Sequence, residues 1–210
     1  MKYAKILLLL FAASFFACTQ SSVSGDERKD STANQAMLKP NRITTDSLIV
    51  PGKSVGKLYL KQDVQDLEQI LGKADGGDAA MGKAWGIWYD KNSNGSTKDE
   101  IDVYSSYADT SMVKKDIKQI RITANSFATK NQLRTGNGLS AFLDEFKDAE
   151  KLSTFLDVKT KDSILIYDSK RNGIGVEVVK NIITAITIHE IGIPVNATYL
   201  TLHPEWKPLE

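Results

Sequence analysis

Two stretches of this chain run through the same succession of patterns, and that recurrence constrains its fold more than any other feature. An apolar run closing on Tyr-Asp, Gly86-Ile87-Trp88-Tyr89-Asp90 in one stretch and Ser163-Ile164-Leu165-Ile166-Tyr167-Asp168 in the other, leads through polar turn residues into an alternating run. The alternating runs are Glu100-Ile101-Asp102-Val103-Tyr104 and Ile174-Gly175-Val176-Glu177-Val178. A third run closes each stretch, 117–123 and 183–189, with Ile120 and Ile122 matching Ile186 and Ile188. Alternation at a period of two puts apolar side chains on one face of a strand and polar ones on the other, the mark of half-buried antiparallel sheet.

Ahead of each set of strands lies a short helical stripe. Asp63 can cap a helix with Val64, Leu67, Ile70 and Leu71 on one face and Gly72 as its stop; Asn137 or Ser140 can cap another that presents Leu139, Phe142, Leu143 and Phe146. These patterns predict an α+β fold of two tandem helix-plus-antiparallel-meander repeats forming one domain, 46–125 and 126–190, with 52–60 and 126–133 as leading strands. Residues 191–210 carry Pro194, Pro204 and Pro208, which break regular structure, and are expected to dock as an extended arm through Tyr199, Leu200, Leu202 and Trp206.

The N-terminus reads as a targeting segment. Lys2 and Lys5 precede an uncharged run over 6–17, roughly twelve apolar residues where a bilayer span needs about 20. Cys18 ends that run and is the chain's one cysteine, so no intramolecular disulfide or cysteine metal site can form. Residues 19–45 are too polar to bury enough surface to offset the entropy of ordering, and read as a flexible tether. The stretch Phe15-Phe16-Ala17-Cys18-Thr19 resembles the lipobox of bacterial lipoprotein precursors, with Ala17 as the small residue before the lipidated Cys, although Phe15 and Phe16 depart from the usual Leu and small residue. The resemblance implies a signal peptide over 1–17, lipid on Cys18, and a protein anchored to the membrane without crossing it. Thr19 implies onward transfer to the outer membrane of a diderm host, because Asp at that position is the inner-membrane retention signal. The competing reading is an ordinary secretory signal, cleaved nearby, with no anchor.

Val55-Gly56-Lys57-Leu58 ahead of Val64-x-x-Leu67-x-x-Ile70-Leu71-Gly72 resembles the β-lactamase-inhibitor-like repeats and related small outer-membrane assembly lipoproteins. That resemblance implies a protein that binds other proteins through sheet faces and loops and is not an enzyme. None of those families' binding residues maps onto a numbered position here.

Candidate chemistry is sparse. Removal of Lys2 and Lys5 would leave 25 basic against 26 acidic side chains, which offers no electrostatic basis for binding nucleic acid. Asp90-Lys91-Asn92-Ser93-Asn94-Gly95 matches the first half of a calcium loop, with Asp90, Asn92 and Asn94 as oxygen ligands and Asp99 or Glu100 as a further one. The position that should carry the bidentate Glu is Ile101, and Asn-Gly between strands is a hairpin signal in its own right. Trp85, Trp88, Tyr104 and Tyr107 are candidates for a partner surface, set against plain cross-strand packing. Gly76, Gly77, Gly82 and Gly86 predict a flexible loop, and His189, on the polar phase of its strand, a surface histidine. Neither histidine has a second ligand at metal spacing, and no nucleophile has a base and an orienting acid. The expectation is a membrane-anchored, non-catalytic interaction module facing another envelope protein, with a small-ligand or calcium-binding envelope protein as the alternative.

Overall fold

Strands form where the sequence alternates apolar and polar side chains. The computed structural model describes residues 45–90, 99–197, 203 and 205–209. Its main element is a nine-stranded sheet built from β4 (Gly76–Ala80), β5 (Lys83–Tyr89), β6 (Glu100–Tyr107), β7 (Lys115–Ile122), β9 (Glu150–Asp157), β10 (Ser163–Ser169), β11 (Ile174–Val179), β12 (Ile182–His189) and β13 (Trp206–Leu209). The order across it is β13-β9-β10-β11-β12-β7-β6-β5-β4, every pair antiparallel. Chain-consecutive hairpins fill both halves, and they meet at the β7–β12 seam, where Ile122 faces Ile186 and Ile120 faces Ile188.

A smaller sheet, order β3-β2-β1-β8, comprises β1 (Leu48–Val50), β2 (Ser54–Val55), β3 (Leu58–Tyr59) and β8 (Ala128–Thr129). It and the helices α1 (Leu67–Leu71) and α2 (Leu139–Glu145) cover one face of the large sheet. There Ile120, Ile122, Val103, Ile186, Ile188, Val176 and Val178 pack with Phe142 and Phe146 of α2 and with Ile49, Val55 and Leu58 of the small sheet. Phe142 is fully buried, its ring 5.2 Å from that of Phe146. Each large apolar side chain so buried contributes roughly 1.5–3 kcal/mol.

The turn after β1 is pinned to the large sheet at Gly173. The Gly173 carbonyl accepts from the Gly52 N–H at 3.0 Å and from the His189 N–H at 3.1 Å. Gly173 sits at φ +70°, and a Cβ there would fall 2.6 Å from the Gly52 Cα, so only glycine lets the two backbones approach this closely.

The expected α+β fold of two helix-plus-meander repeats is therefore corrected. Of the described residues, strand accounts for 48% and helix for 11%, and the strands lie in two sheets. The helical stripes are real but short: α1 has five residues and α2 seven, one to two turns each. Asp63 does cap, accepting from the Gln65 N–H, but what it caps is a 3-10 turn at Val64–Asp66. Asn137 and Ser140 do not cap α2; Gly138 stands at the N-cap, and the Asn137 side chain accepts from the Arg134 N–H in the preceding turn. The expected leading strands break at tight turns and form the separate small sheet. The glycine-rich segment expected to be a flexible loop is the β4–β5 hairpin, and β9 was not anticipated. In the tail, β13 pairs with β9, with Trp206 opposite Asp157, while Tyr199, Leu200 and Leu202 lie outside the described residues.

Truncation of Phe142 to Ala should cost about 3–5 kcal/mol, because the ring is enclosed by both sheets and α2 and little can relax into its space; urea denaturation of the purified protein checks this, and a loss under about 1 kcal/mol would show that α2 does not close the core.

Candidate functional site

The opposite face of the large sheet carries the polar half of each alternating strand, yet much of it is buried. Asp102, Gln119, Asp168, Glu177, Thr187 and His189 are all buried. What covers part of this face is the C-terminal tail. Val195 lies over Gly175, its carbonyl accepting from Gln119 Nε2 at 2.6 Å and its N–H donating to Asp168 Oδ2 at 3.1 Å. Further along, His203 and Trp206 stack, ring centroids 4.2 Å apart, and Trp206 joins Phe155, Ile164, Ile166 and Val195 in a second small apolar cluster.

His189, expected at the surface, is 1% exposed. Its Nε2 lies 2.8 Å from Asp168 Oδ1 and its Nδ1 3.1 Å from the Glu190 carbonyl. A carbonyl oxygen only accepts, so in the contact with Glu190 the Nδ1 nitrogen is the donor. Asp168 thus spends one oxygen on the histidine and the other on the tail. The pair is a clamp for the tail, closed off from solvent.

The centre of the face is Arg121. Register places Arg121 of β7 opposite Asp102 of β6 on one side and Thr187 of β12 on the other. Nη1 donates to Glu100 Oε1 and Asp102 Oδ2, both at 2.6 Å; Nε and Nη2 donate to the two oxygens of Glu177 on β11 at 2.7 and 2.8 Å. Nη2 also lies 3.4 Å from His203 Nε2. Four of the five guanidinium N–H groups donate to carboxylate oxygens. Burial works against the charge on Arg121, but Glu177, then Asp102 and Glu100, hold it, and its pKa lies well above the ordinary value. Three carboxylates share that one cation. For Asp102, burial is the largest influence and pushes its carboxyl up to about 7; Arg121 pulls it down and the Glu100 and Glu177 charges push it up. Asp102 Oδ1 finds no hydrogen-bond partner among the described residues.

Beside this cluster, where β6 and β12 begin and β7, β9 and β11 end, opens a cavity of about 550 Å³. Asp99, Glu100, Asp157, Asp162, Glu177 and Glu205 bring carboxylates to its lining, with Arg121, His203 and Trp206 completing the charged and aromatic wall. Ile164, Val179 and Ile183 add apolar surface. Among the described residues no group of three His, Cys, Asp or Glu is placed to hold a metal ion; in the three-carboxylate cluster the guanidinium occupies the centre.

Of the residues singled out from sequence, Cys18, Asn92 and Asn94 lie outside the described residues. The Asp90 N–H donates to the Asp99 carbonyl at 2.7 Å, closing the base of a hairpin, and Glu100 turns to Arg121. The four candidate aromatics do not form one patch. Trp88 lies on the core face and donates from Nε1 to the Gly72 carbonyl, whereas Trp85 is paired across strands with buried Tyr104 on the other face. Tyr107 sits at the far end of β6, under the Lys115 ammonium. Sequence reasoning missed Arg121 and Glu177, because a charged residue on the polar phase of a strand reads as solvated. The available signal was the concentration of charge on the polar phases of three strands, with an aromatic, proline-rich tail free to cover it. A comparison with family models, curated proteins and solved structures finds no match to this chain.

The raised Asp102 has a thermodynamic sign. Its folded value lies above the ordinary carboxylate value, so the stability it contributes is full below about pH 4 and is lost as pH rises through 7. Asp102→Asn removes that titration. The variant should therefore gain on the wild type as pH goes from 5 to 8, by on the order of 2–3 kcal/mol, whereas Arg121→Met, which strands the carboxylates, should lose about 3–5 kcal/mol at neutral pH. Parallel denaturant titrations across pH check both, and a pH-independent gap between Asp102→Asn and wild type rules out the titration.

Proposed function

We propose that this protein is an exported cell-envelope lipoprotein, held by lipid on Cys18 at the outer membrane, whose folded part binds a small polar ligand in the cavity beside Arg121 and carries out no chemistry. The observation that carries the binding reading is the cavity: about 550 Å³, at the ends of the strands, with charged groups converging from β6, β7, β9 and β11 and an aromatic wall from the tail. Cavities of this size suit small ligands. A non-catalytic role is supported by how the charged groups are engaged. Arg121 directs four of its N–H groups at carboxylates, and the buried His189–Asp168 pair is enclosed beneath the tail.

The anchor is supported by sequence: a basic start, an apolar run of signal length, Ala17-Cys18 at its end and a polar spacer before the fold. No helix among the described residues is long and apolar enough to cross a membrane.

A second reading, docking of another envelope protein, draws on a different region. The β4–β5 and β6–β7 turns expose Met81, Met112 and Val113, and Gly82 packs against the Tyr107 ring, which brings the two turns side by side. A surface of this kind fits a protein partner better than a free ligand.

Intact mass of the membrane-extracted protein beside a Cys18→Ala variant, with fractionation of both, tests the anchor. Acyl mass on Cys18 and release of the variant from the membrane pool are expected; an unlipidated protein recovered in the soluble fraction refutes the tether and leaves a freely diffusing binding protein.

A further inference from the structure

The cavity's chemistry is lopsided, and that asymmetry identifies the class of ligand. Six carboxylates line it. Arg121 answers three carboxylates at once, Lys180 pairs with Asp162 at 2.9 Å, and Lys159 approaches Glu205 at 3.9 Å, so three cations stand against six anions before buried Asp102 is counted. An anionic ligand would meet this excess of carboxylates, and the one guanidinium beside it already directs four of its N–H groups at carboxylate oxygens.

A second observation points independently to an occupant. Thr135 lines the same cavity, is only 6% exposed, and its hydroxyl has no hydrogen-bond partner among the described residues. A buried hydroxyl left unpaired costs about 1–3 kcal/mol, a cost that an ammonium or guanidinium N–H donated to it would remove. The apolar residues Ile164, Val179 and Ile183 and the Trp206 indole meanwhile give an aliphatic chain somewhere to lie. A bare divalent ion would leave that surface unused, and the described residues offer it no three-ligand site.

We propose that the cavity binds a small organic cation, an alkyl di- or polyamine or a guanidino compound, with its charged ends held by Glu100, Glu177 and Asp99 and donating to Thr135, and its carbon chain against Trp206 and Val179. This rests on the reading of the cavity as the binding site and names what it takes. Asp102 fits: its carboxyl is pushed up to about 7 by burial and by Glu100 and Glu177, a sign of a cluster short of positive charge. An arriving ammonium supplies that charge, and Asp102 gives up its proton as the ligand seats.

The test is isothermal titration of the full chain in detergent with spermidine near pH 7 and about 0.15 M salt, in two buffers of different ionisation enthalpy. Saturable binding is expected, with proton release in the wild type and none in Asp102→Asn. The Asp99→Asn/Thr135→Val double variant, which leaves the Arg121 cluster intact, should bind about tenfold more weakly; should it not fold, Asp99→Asn alone carries the comparison. Affinity unchanged by these substitutions, no saturable heat below about 1 mM spermidine, or equal competition by magnesium at matched ionic strength overturns the proposal. Lipidation is read from mass and amine binding from heat, so either can fail while the other stands.

Discussion

One guanidinium organises the polar side of this fold. Arg121 reaches from β7 to carboxylates on β6 and on β11, across β12, and so ties together the two halves of the large sheet at the seam where they meet. Taking one cation and three anions out of water costs several kcal/mol per ion, and the arrangement holds because four guanidinium N–H groups donate to carboxylate oxygens at 2.6 to 2.8 Å. The same choice dictates what the rest of the chain must do. A sheet face with charged groups at its centre cannot be sealed by an apolar layer like the one that α2 and the small sheet provide on the other side. It is covered instead by the tail, which contributes backbone donors and acceptors at Val195 and a ring nitrogen at His203.

That division between the faces explains what could be read from sequence and what could not. Alternation marked β6, β11, β12 and most of β7, because a strand that buries one apolar face advertises it at every second residue, and apolar runs closing on Tyr-Asp marked β10 and the second half of β5. Alternation does not say where the other face goes. Asp102, Arg121, Glu177 and His189 occupy the polar phase and would look the same whether they met water or a returning segment, so a buried charge cluster and a buried His–Asp pair both passed for surface. The cover is also illegible: Val195 and His203 sit among prolines in a stretch with no period, and their roles depend on contacts distant in sequence, Val195 with Gln119 76 positions earlier and His203 with Arg121 82 positions earlier.

The error in fold class has a different origin. An apolar stripe such as Val64, Leu67, Ile70 and Leu71 satisfies a helical template over two turns, but Asp63 commits the first of these to a 3-10 turn and Gly72 ends the second. Pattern matching counts such a stripe as a helix-sized element, whereas physically it is a short plug between strands. The segments around it, with turns at Gly52 and Gly56, bend too often to extend a large sheet and close on themselves as a small one. β4 went unrecognised for a related reason. Gly-Gly-Asp-Ala-Ala has no side chain to advertise a buried face, and as an exposed edge strand it needs none.

The cavity and the stability of the fold draw on the same carboxylates. Glu100 and Glu177 each face Arg121 and line the cavity, so any charge placed there is felt by the cluster that holds the seam. With one guanidinium among three acids, the cluster can be neutralised further only by a proton or by a cation from outside, and Asp102 at about 7 shows that near neutral pH the proton is already only partly held. A bound cation would therefore substitute for that proton and stabilise the folded chain by mass action. Occupancy of the site and integrity of the β7–β12 seam are in this sense a single equilibrium, set by how many positive charges the Arg121 cluster can gather.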